Sequence, residues 1–561
     1  YSYAVRTFER ENLEFSGKGV GVVVPPWNFP IAIPLGGVAA TLAAGNTVII
    51  KPASVAALCA YEMCQCFWEA GISKNVLQFV PCPGSLAGEH LIKNEKVDFV
   101  ILTGGEDTAY KMLETRQNLY LTAETGGKDA TIVTAMSDRD QAVKNVVQSA
   151  FGNSGQKCSA TSLLVLEEEV YHDKSFKKAL VDTASSMRVG SIWDFKNRIG
   201  TLANPVDGAL KKAIESLEPG EEWALAPSFA DDNEFMLKPA IKWGVKPGNF
   251  CHMNELFGPV LSVMCVKDLK EAIDVVNMTG YGLTSGIESL DIREVEYWRE
   301  NLKAGNLYIN RGTTGAIVLR QPFGGMGKSA IGAGRKAGVH NYVTQFMDFK
   351  EVGYPKVMKE HSHPLVGIVR EWKEGVAKGI HAQFADDINK CEIALQSYLE
   401  NFNTEFNVEH DYFKVRGEDN VFRYLPLNKV ALRIFEGDSL FDVISRILAA
   451  KVSGVNLHIS IQFNVENDVI SFLYENKDKL LGDLDRIVRE ESKDFVKCFD
   501  GVDRVMYSDI AKVPEFVFEE AAKSAKFIVR QQPMMEGRLE LLNYFQEQSI
   551  SHSYHRYGNL G

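Results

Sequence analysis

The stretch Phe151–Ser162, FGNSGQKCSATS, sets one cysteine, Cys158, in a loop of small and polar residues. Structural cysteines sit among apolar side chains, where the thiol stays protonated and inert. Here Gly152 and Gly155 precede the cysteine, Gln156 and Lys157 flank it and Ser159 follows it. Such surroundings lower a thiol pKa and leave room for a substrate, so Cys158 is a candidate nucleophile. The other cysteines offer less. Cys59, Cys64 and Cys66 cluster without a partnering Cys/His set at zinc spacing, so no metal site is expected.

The flanking sequence supplies elements that would hold such a loop. GVGVVVPPW (Gly19–Trp27) reads as a buried strand stopped by Pro25-Pro26, followed by a loop at Asn28-Phe29-Pro30. Ile31–Ala44 reads as an apolar helix closed by Gly45-Asn46, and Thr47–Ile50 as a strand delivering Lys51. A helix over Val55–Ala70, a strand over Val76–Val80, a helix over Leu86–Lys93 and a strand over Asp98–Leu102 follow. The turn Thr103-Gly104-Gly105 then opens a helix at Glu106. This alternation predicts a parallel, doubly wound sheet, whose ligands lie beyond the C-terminal strand ends. Lys51 and the glycine turn fall there. A helix over Asp138–Phe151 enters the cysteine loop and a strand over Leu163–Leu166 leaves it, within a second α/β unit reaching about Val318. The glycine-rich Arg320–Gly338 lacks GxGxxG spacing into a helix and reads as loop.

A third unit begins after about Pro364. Val430–Ser460 repeats the rhythm of Gly19–Ile50: strand, loop, apolar helix, Gly–Asn helix end, strand. Glu436-Gly437-Asp438 stands where Pro26-Trp27-Asn28 stands in the first unit, and nothing like FGNSGQKCS follows.

At 561 residues, 45% apolar and 24% charged, the composition is that of a multidomain globular protein. A net charge of −12 argues against nucleic acid or an anionic membrane as partner. Nine irregularly spaced cysteines fit reduced thiols in a cytoplasm rather than a secreted disulfide framework. Gly19–Ile50 carries no charge, but Pro25, Pro26, Pro30 and Pro34 break it, so no integral membrane segment is expected. The start at Tyr1, without an initiator methionine or signal pattern, reads as an excerpt of a longer polypeptide.

PWNFP (Pro26–Pro30), IKPAS (Ile50–Ser54), LTGG (Leu102–Gly105), ETGGKDA (Glu124–Ala130), GQKCS (Gly155–Ser159), ELFGPV (Glu255–Val260) and QPFGG (Gln321–Gly325) occur in this order. In these motifs, over Gly17–Tyr342, the chain resembles the aldehyde dehydrogenase superfamily. INRGTTGAIVLRQPFGG (Ile309–Gly325) and YHRYGNLG (Tyr554–Gly561) are similar to the Δ1-pyrroline-5-carboxylate dehydrogenase modules of bifunctional proline-utilisation enzymes. The resemblance implies an α/β fold: a Rossmann-like cofactor domain with an α/β catalytic domain, then a degenerate Rossmann-like C-terminal domain. The expected boundaries are 1–128 for a cofactor domain that is N-terminally incomplete, 129–318 for the catalytic domain and 319–360 for a return segment. A non-catalytic domain over 361–535 and a C-terminal tail over 536–561 complete the division.

The resemblance also assigns roles. A thiolate makes an aldehyde carbon tetrahedral so that hydride can leave, and Cys158 matches that position. The side-chain amide of Asn28 and the Cys158 N–H would hold the oxyanion. Glu124, beside two mobile glycines, would activate water to hydrolyse the thioester. Glu255 is the competing carboxylate; it would bind the nicotinamide ribose, with Phe257 near the nicotinamide, and the two glutamates could exchange roles. Lys51 would reach the adenine ribose, and Gly104 and Gly105 the pyrophosphate. Pro26, Trp27, Thr125 and Gly126 complete the NAD site. Ser54 stands where NAD-preferring relatives carry a glutamate that repels a 2′-phosphate, which leaves NADP as an alternative.

The implied reaction is NAD-dependent oxidation of L-glutamate γ-semialdehyde to glutamate. Ser159, Gly315, Ala316 and Phe323 would contact the substrate, its carboxylate held by backbone N–H groups of Thr314–Ala316. An aldehyde dehydrogenase of other specificity and a non-catalytic, channel-covering scaffold are the rivals. A homo-oligomer linked to a proline dehydrogenase domain is the implied setting; FAD would belong to that domain, which these residues lack. The tail Ser549–Gly561 is expected to add a strand to a neighbouring edge.

Overall fold

The uncharged run after Gly19 folds as strand β1 (Val20–Val24), helix α1 (Ala32–Ala43) and strand β2 (Thr47–Ile50) in the computed structural model, which describes residues 1–554. Val22, Val23, Val48 and Ile50 are buried, each side chain worth about 1.5–3 kcal/mol by removal from water. β3 (Leu77–Phe79), β4 (Phe99–Thr103) and β5 (Leu121–Glu124) extend the sheet in the parallel order β5-β4-β1-β2-β3. The expected helix over Leu86–Lys93 is a short α-turn, Gly84–Ala87, running into a π-turn, Gly88–Ile92. Helix α2 (Ala57–Glu69) carries buried Cys64 and exposed Cys59 and Cys66, and all nine cysteines are free.

The second sheet comprises β6 (Ala130–Val133), β7 (Leu163–Glu167), β8 (Glu222–Leu225), β9 (Ala240–Trp243), β10 (Val260–Val266), β11 (Thr284–Glu288) and β12 (Asn306–Ile309). Two later segments join it, giving the order Glu418–Pro426, Phe545–Ser553, β12, β11, β6, β7, β10, β9, β8. Phe545–Ser553 lies parallel to β12 and antiparallel to Glu418–Pro426. The division into a catalytic domain over 129–318 and a tail over 536–561 therefore needs correction. Residues 545–553 form an internal strand of the catalytic sheet, partnered on both edges within the same chain. Its polar sequence, FQEQSISHS, hides this, because Glu547, Gln548, Ser549 and Ser551 are buried by hydrogen bonding rather than apolar packing. Residues 555–561, with His555, Arg556 and Tyr557, lie outside the described residues.

The return segment is also more than a linker. Ala330–Ile331 pairs antiparallel with β5, so that Ala330 faces Glu124, and Met347–Glu351 pairs with Leu13–Gly17. The chain passes from the end of β5 at Glu124 to the start of β6 at Ala130 in one short crossing. The C-terminal edge of the cofactor sheet thereby faces the N-terminal edge of the catalytic sheet. Cys158, just ahead of β7, lies on that second edge.

The C-terminal sheet has the order Arg486–Glu490, Asn456–Gln462, Lys429–Ile434, Arg504–Met506, Phe527–Val529. In sequence rank this is 3-2-1-4-5, the same as β3-β2-β1-β4-β5, so the repeated rhythm corresponds to a repeated topology. One hydrophobic core joins the two units, running from Phe99 and Phe346 to Trp372, Leu448 and Phe472.

Candidate active site

Helix α4 (Arg139–Phe151) aims the cysteine loop. Its N-cap, Asp138, accepts the Gln141 N–H at 3.1 Å, and Ala142, Val146 and Ala150 bury its inner face. Beyond Phe151 the chain turns through Asn153 and Ser154, both left-handed at φ 57° and 58°, into Gly155 at φ 65°. A Cβ on Gly155 would lie 2.4 Å from the Gly258 carbonyl oxygen. Only glycine lets the GQKCS loop rest directly on the backbone of ELFGPV.

Cys158 is half-buried, and its own N–H faces its sulfur. The expected lowering of the thiol pKa does not occur in this environment. Burial, then the carboxylates of Asp129, Glu255 and Glu124, hold the thiol well above its usual range, and Lys157 does not offset them. In this state Cys158 is a protonated thiol.

The structure brings the other predicted polar groups to the same crossing. The amide nitrogen of Asn28 donates one hydrogen bond to the Gln156 carbonyl at 3.2 Å, and its Oδ1 is buried without a partner among the described residues. That amide keeps a second N–H. Glu124 accepts the Gly325 N–H at 2.8 Å, and burial raises its pKa while the Lys336 ammonium opposes the rise. Glu255 accepts the Gly127 N–H at 3.0 Å, and burial pushes it up to about 7. A Cβ on Gly126, at φ 86°, would lie 2.5 Å from Glu255 Oε2, so the turn is shaped to admit this carboxylate.

Three charged residues escaped sequence reasoning. Asp129 accepts the Thr284 N–H at 2.7 Å, is 2% exposed, and is the first of the three carboxylates acting on Cys158. Lys128 is buried with no hydrogen-bond partner for its ammonium among the described residues, and burial pulls it down to about 8. Lys336 is fully buried beside Glu124. Burial within GGKD and GRKAG carries no periodic signal, so sequence pattern could not reveal it.

Of the residues expected to hold a cofactor, Lys51 and Gly105 lie at the C-terminal ends of first-sheet strands. Lys51 is half-buried directly after β2, and Ser54 is exposed at the start of a short 3₁₀ turn, Ser54–Ala56. Gly105 caps the ten-residue helix α3 (Glu106–Thr115), and the space around its Cα is open, as a phosphate at a helix N-terminus requires. Thr125 is buried, its hydroxyl donating to the Lys328 carbonyl at 2.6 Å. Trp27, next to half-buried Pro26, meets Phe257 edge-on with ring centroids 5.7 Å apart. The open glycine turn, the paired aromatics and the Glu255 carboxylate beside Gly126 fit a dinucleotide.

On the substrate side, the Thr313 hydroxyl donates to the carbonyl of buried Ser159 at 2.8 Å, tying the 311–316 loop to the cysteine loop. Gly315 and Ala316 are exposed beyond it, with Gly315 at φ 86°. Phe323 is half-buried, its backbone bonded to Ala337. Glu418, from the C-terminal half, holds this loop through Arg311 at 3.1 Å, Arg320 at 3.4 Å and Gln321 at 3.0 Å.

The sequence profile described as the aldehyde dehydrogenase family matches residues 12–352. A 1-pyrroline-5-carboxylate dehydrogenase from Geobacillus sp. (strain WCH70) is 36% identical over 345 residues, 60% of this chain and 66% of that protein. The one from Bacillus cytotoxicus is 36% identical over 358 residues, 62% of this chain and 68% of that protein. Among solved structures, Proline Utilization A (PutA) from Corynebacterium freiburgense superposes with a TM-score of 0.84 at 34% identity, covering 99% of this chain and 52% of that one. The Thermus 1-pyrroline-5-carboxylate dehydrogenase with bound NAD superposes at 0.57 and 34% identity, covering 61% of this chain and 68% of that one. The chain thus spans about two thirds of the length of these curated relatives and about half of the PutA chain.

Proposed function

The chain belongs to the aldehyde dehydrogenase family, and from that premise we propose that it oxidises L-glutamate γ-semialdehyde, the open form of Δ1-pyrroline-5-carboxylate, to L-glutamate with NAD. The names of its relatives support this substrate. The observation that carries the reading is the meeting of Cys158, Asn28, Glu124 and Glu255 where the two sheet edges face each other.

Cys158 Sγ adds to the aldehyde carbon as its proton passes to solvent water, and the carbonyl π pair moves to oxygen to give the thiohemiacetal oxyanion. The Asn28 N–H that remains beside the Gln156 bond, with the Cys158 N–H next to the sulfur, receives the developing oxyanion. NAD, when bound, supplies the hydride acceptor. Lys51, Gly105 and the Trp27–Phe257 pair would hold it, with Glu255 turning from Gly127 to its ribose. Loss of hydride leaves an acyl thioester on Cys158. Glu124, in its ionised form, takes a proton from the water that releases glutamate. The α-carboxylate of the substrate lies against Gly315 and Ala316, near the Ser159 hydroxyl.

The exposed Ser54 places no carboxylate against a 2′-phosphate, so NADP is accepted as a slower substitute. In this reading the protein works as a homo-oligomer coupled to a flavin-dependent proline dehydrogenase domain, with the 361–535 unit non-catalytic. Among the described residues, no helix is long and apolar enough to cross a membrane.

Cys158→Ala is expected to abolish NADH formation with unchanged circular dichroism; activity near wild type would refute the assignment. The semialdehyde should exceed aldehydes lacking an α-carboxylate by roughly tenfold or more in kcat/KM.

A further inference from the structure

The Lys336 side chain is completely buried, and a buried ammonium is costly unless polar groups surround it. Its Nζ donates to Asn306 Oδ1 at 2.9 Å and to the Gly324 carbonyl. Among the described residues no carboxylate lies within ion-pair distance of it; Glu124 and Glu547 are the charges that act on it from further away. The Gly324 carbonyl that receives Lys336 belongs to the same peptide group as the Gly325 N–H, which donates to Glu124 Oε2 at 2.8 Å. Ammonium, peptide and carboxylate thus form one chain of two charge-assisted hydrogen bonds, each polarising the other.

Gly324 makes this chain possible. A Cβ there would lie 3.0 Å from Glu124 Oε1 and 3.3 Å from Lys336 Cγ, between the two side chains that share the peptide. The Glu124 backbone is fixed by pairing with Ala330, so its carboxylate can leave only by rotating away from Gly325.

We propose that Lys336 is a positioning residue that acts through the Gly324–Gly325 peptide, holding the Glu124 carboxylate ionised and parked until the thioester on Cys158 has formed. The inference rests on the reading of Glu124 as the hydrolytic base. Asn306 serves the same device from the other side, accepting from both the ammonium and, at 3.2 Å, the Gly324 N–H.

The charges bear on the pH dependence. Facing Glu124 are Lys336, the Cys158 thiol and the Tyr342 hydroxyl; facing Lys336 are Glu124 and Glu547. Burial raises both Cys158 and Tyr342, so both stay neutral around neutral pH and Lys336 is the cation that keeps Glu124 ionised. Burial also lowers the ammonium, so its advantage disappears in alkaline solution.

The test is rapid-mixing kinetics of NADH formation by the protein with NAD and glutamate semialdehyde, comparing wild type with Lys336→Met from pH 6 to pH 9. The first-turnover burst should persist, while steady-state turnover at pH 7 falls about fivefold, the loss of ionised Glu124 when a pKa of about 7 rises by one unit. The deficit should all but vanish by pH 9, where Glu124 is ionised with or without the ammonium. A ratio of burst to steady state equal to wild type across the range overturns the proposal. Should Lys336→Met not fold, Asn306→Asp neutralises the ammonium in place and is expected to give the same alkaline rescue; an unmoved profile there overturns the proposal as well. Failure of the underlying reading looks different: Glu124→Gln would then turn over at the wild-type rate.

Discussion

Gly155→Ala tests how the cysteine loop is positioned, and its size follows from the geometry. The new Cβ would sit 2.4 Å from the Gly258 oxygen, 2.5 Å from the Gly258 carbon and 2.9 Å from the Pro259 nitrogen. All three are backbone atoms, so no side chain can rotate away. Relief to an ordinary contact of about 3.4 Å requires a shift of about 1 Å between the cysteine loop and ELFGPV. A left-handed φ of 65° adds about 1–2 kcal/mol for a residue with a Cβ. A displacement of about 1 Å at a reacting centre costs roughly a hundredfold in rate. Gly152→Ala is the internal control. Its φ is −57°, and its Cβ would meet only the mobile end of Lys157 at 3.3 Å. The assay is kcat/KM from NADH absorbance together with thermal unfolding. Gly155→Ala should lose about two orders of magnitude in rate and about 2 kcal/mol in stability. Gly152→Ala should stay within about 0.5 kcal/mol of wild type. Equal behaviour of the two variants would refute the reasoning.

Glu288 gives a pH-dependent stability independent of the reaction. It is 2% exposed at the far end of β11, accepts Asn145 Nδ2 at 2.8 Å, and burial raises it from 4.5 to about 8. A carboxyl raised in the fold binds more protons folded than unfolded between those values, so its contribution is full below about 4.5 and is lost as pH rises to about 8. At about 1.4 kcal/mol per unit the loss is on the order of 5 kcal/mol, and Glu288→Gln should flatten the fall of Tm from pH 5 to 8.5; an unchanged slope counts against it. Glu418→Ala should free Arg311 and Arg320, raising KM for the semialdehyde several-fold with kcat little changed. It should cost about 1–3 kcal/mol, discounted because the arginines are partly exposed, and an unaltered KM would show that the loop does not touch substrate.

The order of elements in the first sheet was legible because its strands are uninterrupted apolar runs punctuated by proline and glycine. The same signals place Asn28 after β1, Lys51 after β2 and Gly105 ahead of α3, where the structure has them. Three things were not legible. The thiol environment was misjudged because Lys157 is adjacent in sequence, whereas Asp129 and Glu255 reach Cys158 only through the fold. Lys128 and Lys336 look like surface charges in sequence and are buried by the meeting of two sheets. The strand Phe545–Ser553 has no apolar alternation, because its polar side chains bond to Arg423, Asn341 and the Pro322 carbonyl inside the protein.

The C-terminal unit shows what separates the two copies of one topology. In the first, β1 runs on into Pro26-Trp27-Asn28, where Trp27 meets Phe257 and Asn28 bonds the Gln156 carbonyl. In the other, Arg433, the last residue but one of the equivalent strand, is fully buried and bonded to Ser460 at 2.6 Å and to the Glu490 carbonyl at 3.0 Å. Its guanidinium packs over Phe435 and Phe495, and Tyr507 fills the neighbouring strand end. Asp438, at the position matching Asn28, accepts the Phe435 N–H at 2.7 Å and pairs with Lys512, so its polar atoms are consumed locally. The second unit contributes through its outer elements instead: Glu418–Pro426 and Phe545–Ser553 extend the catalytic sheet, and Glu418 holds the loop that bears Gly315. Through that contact the second unit braces the 311–316 loop, which Thr313 in turn ties to the cysteine loop.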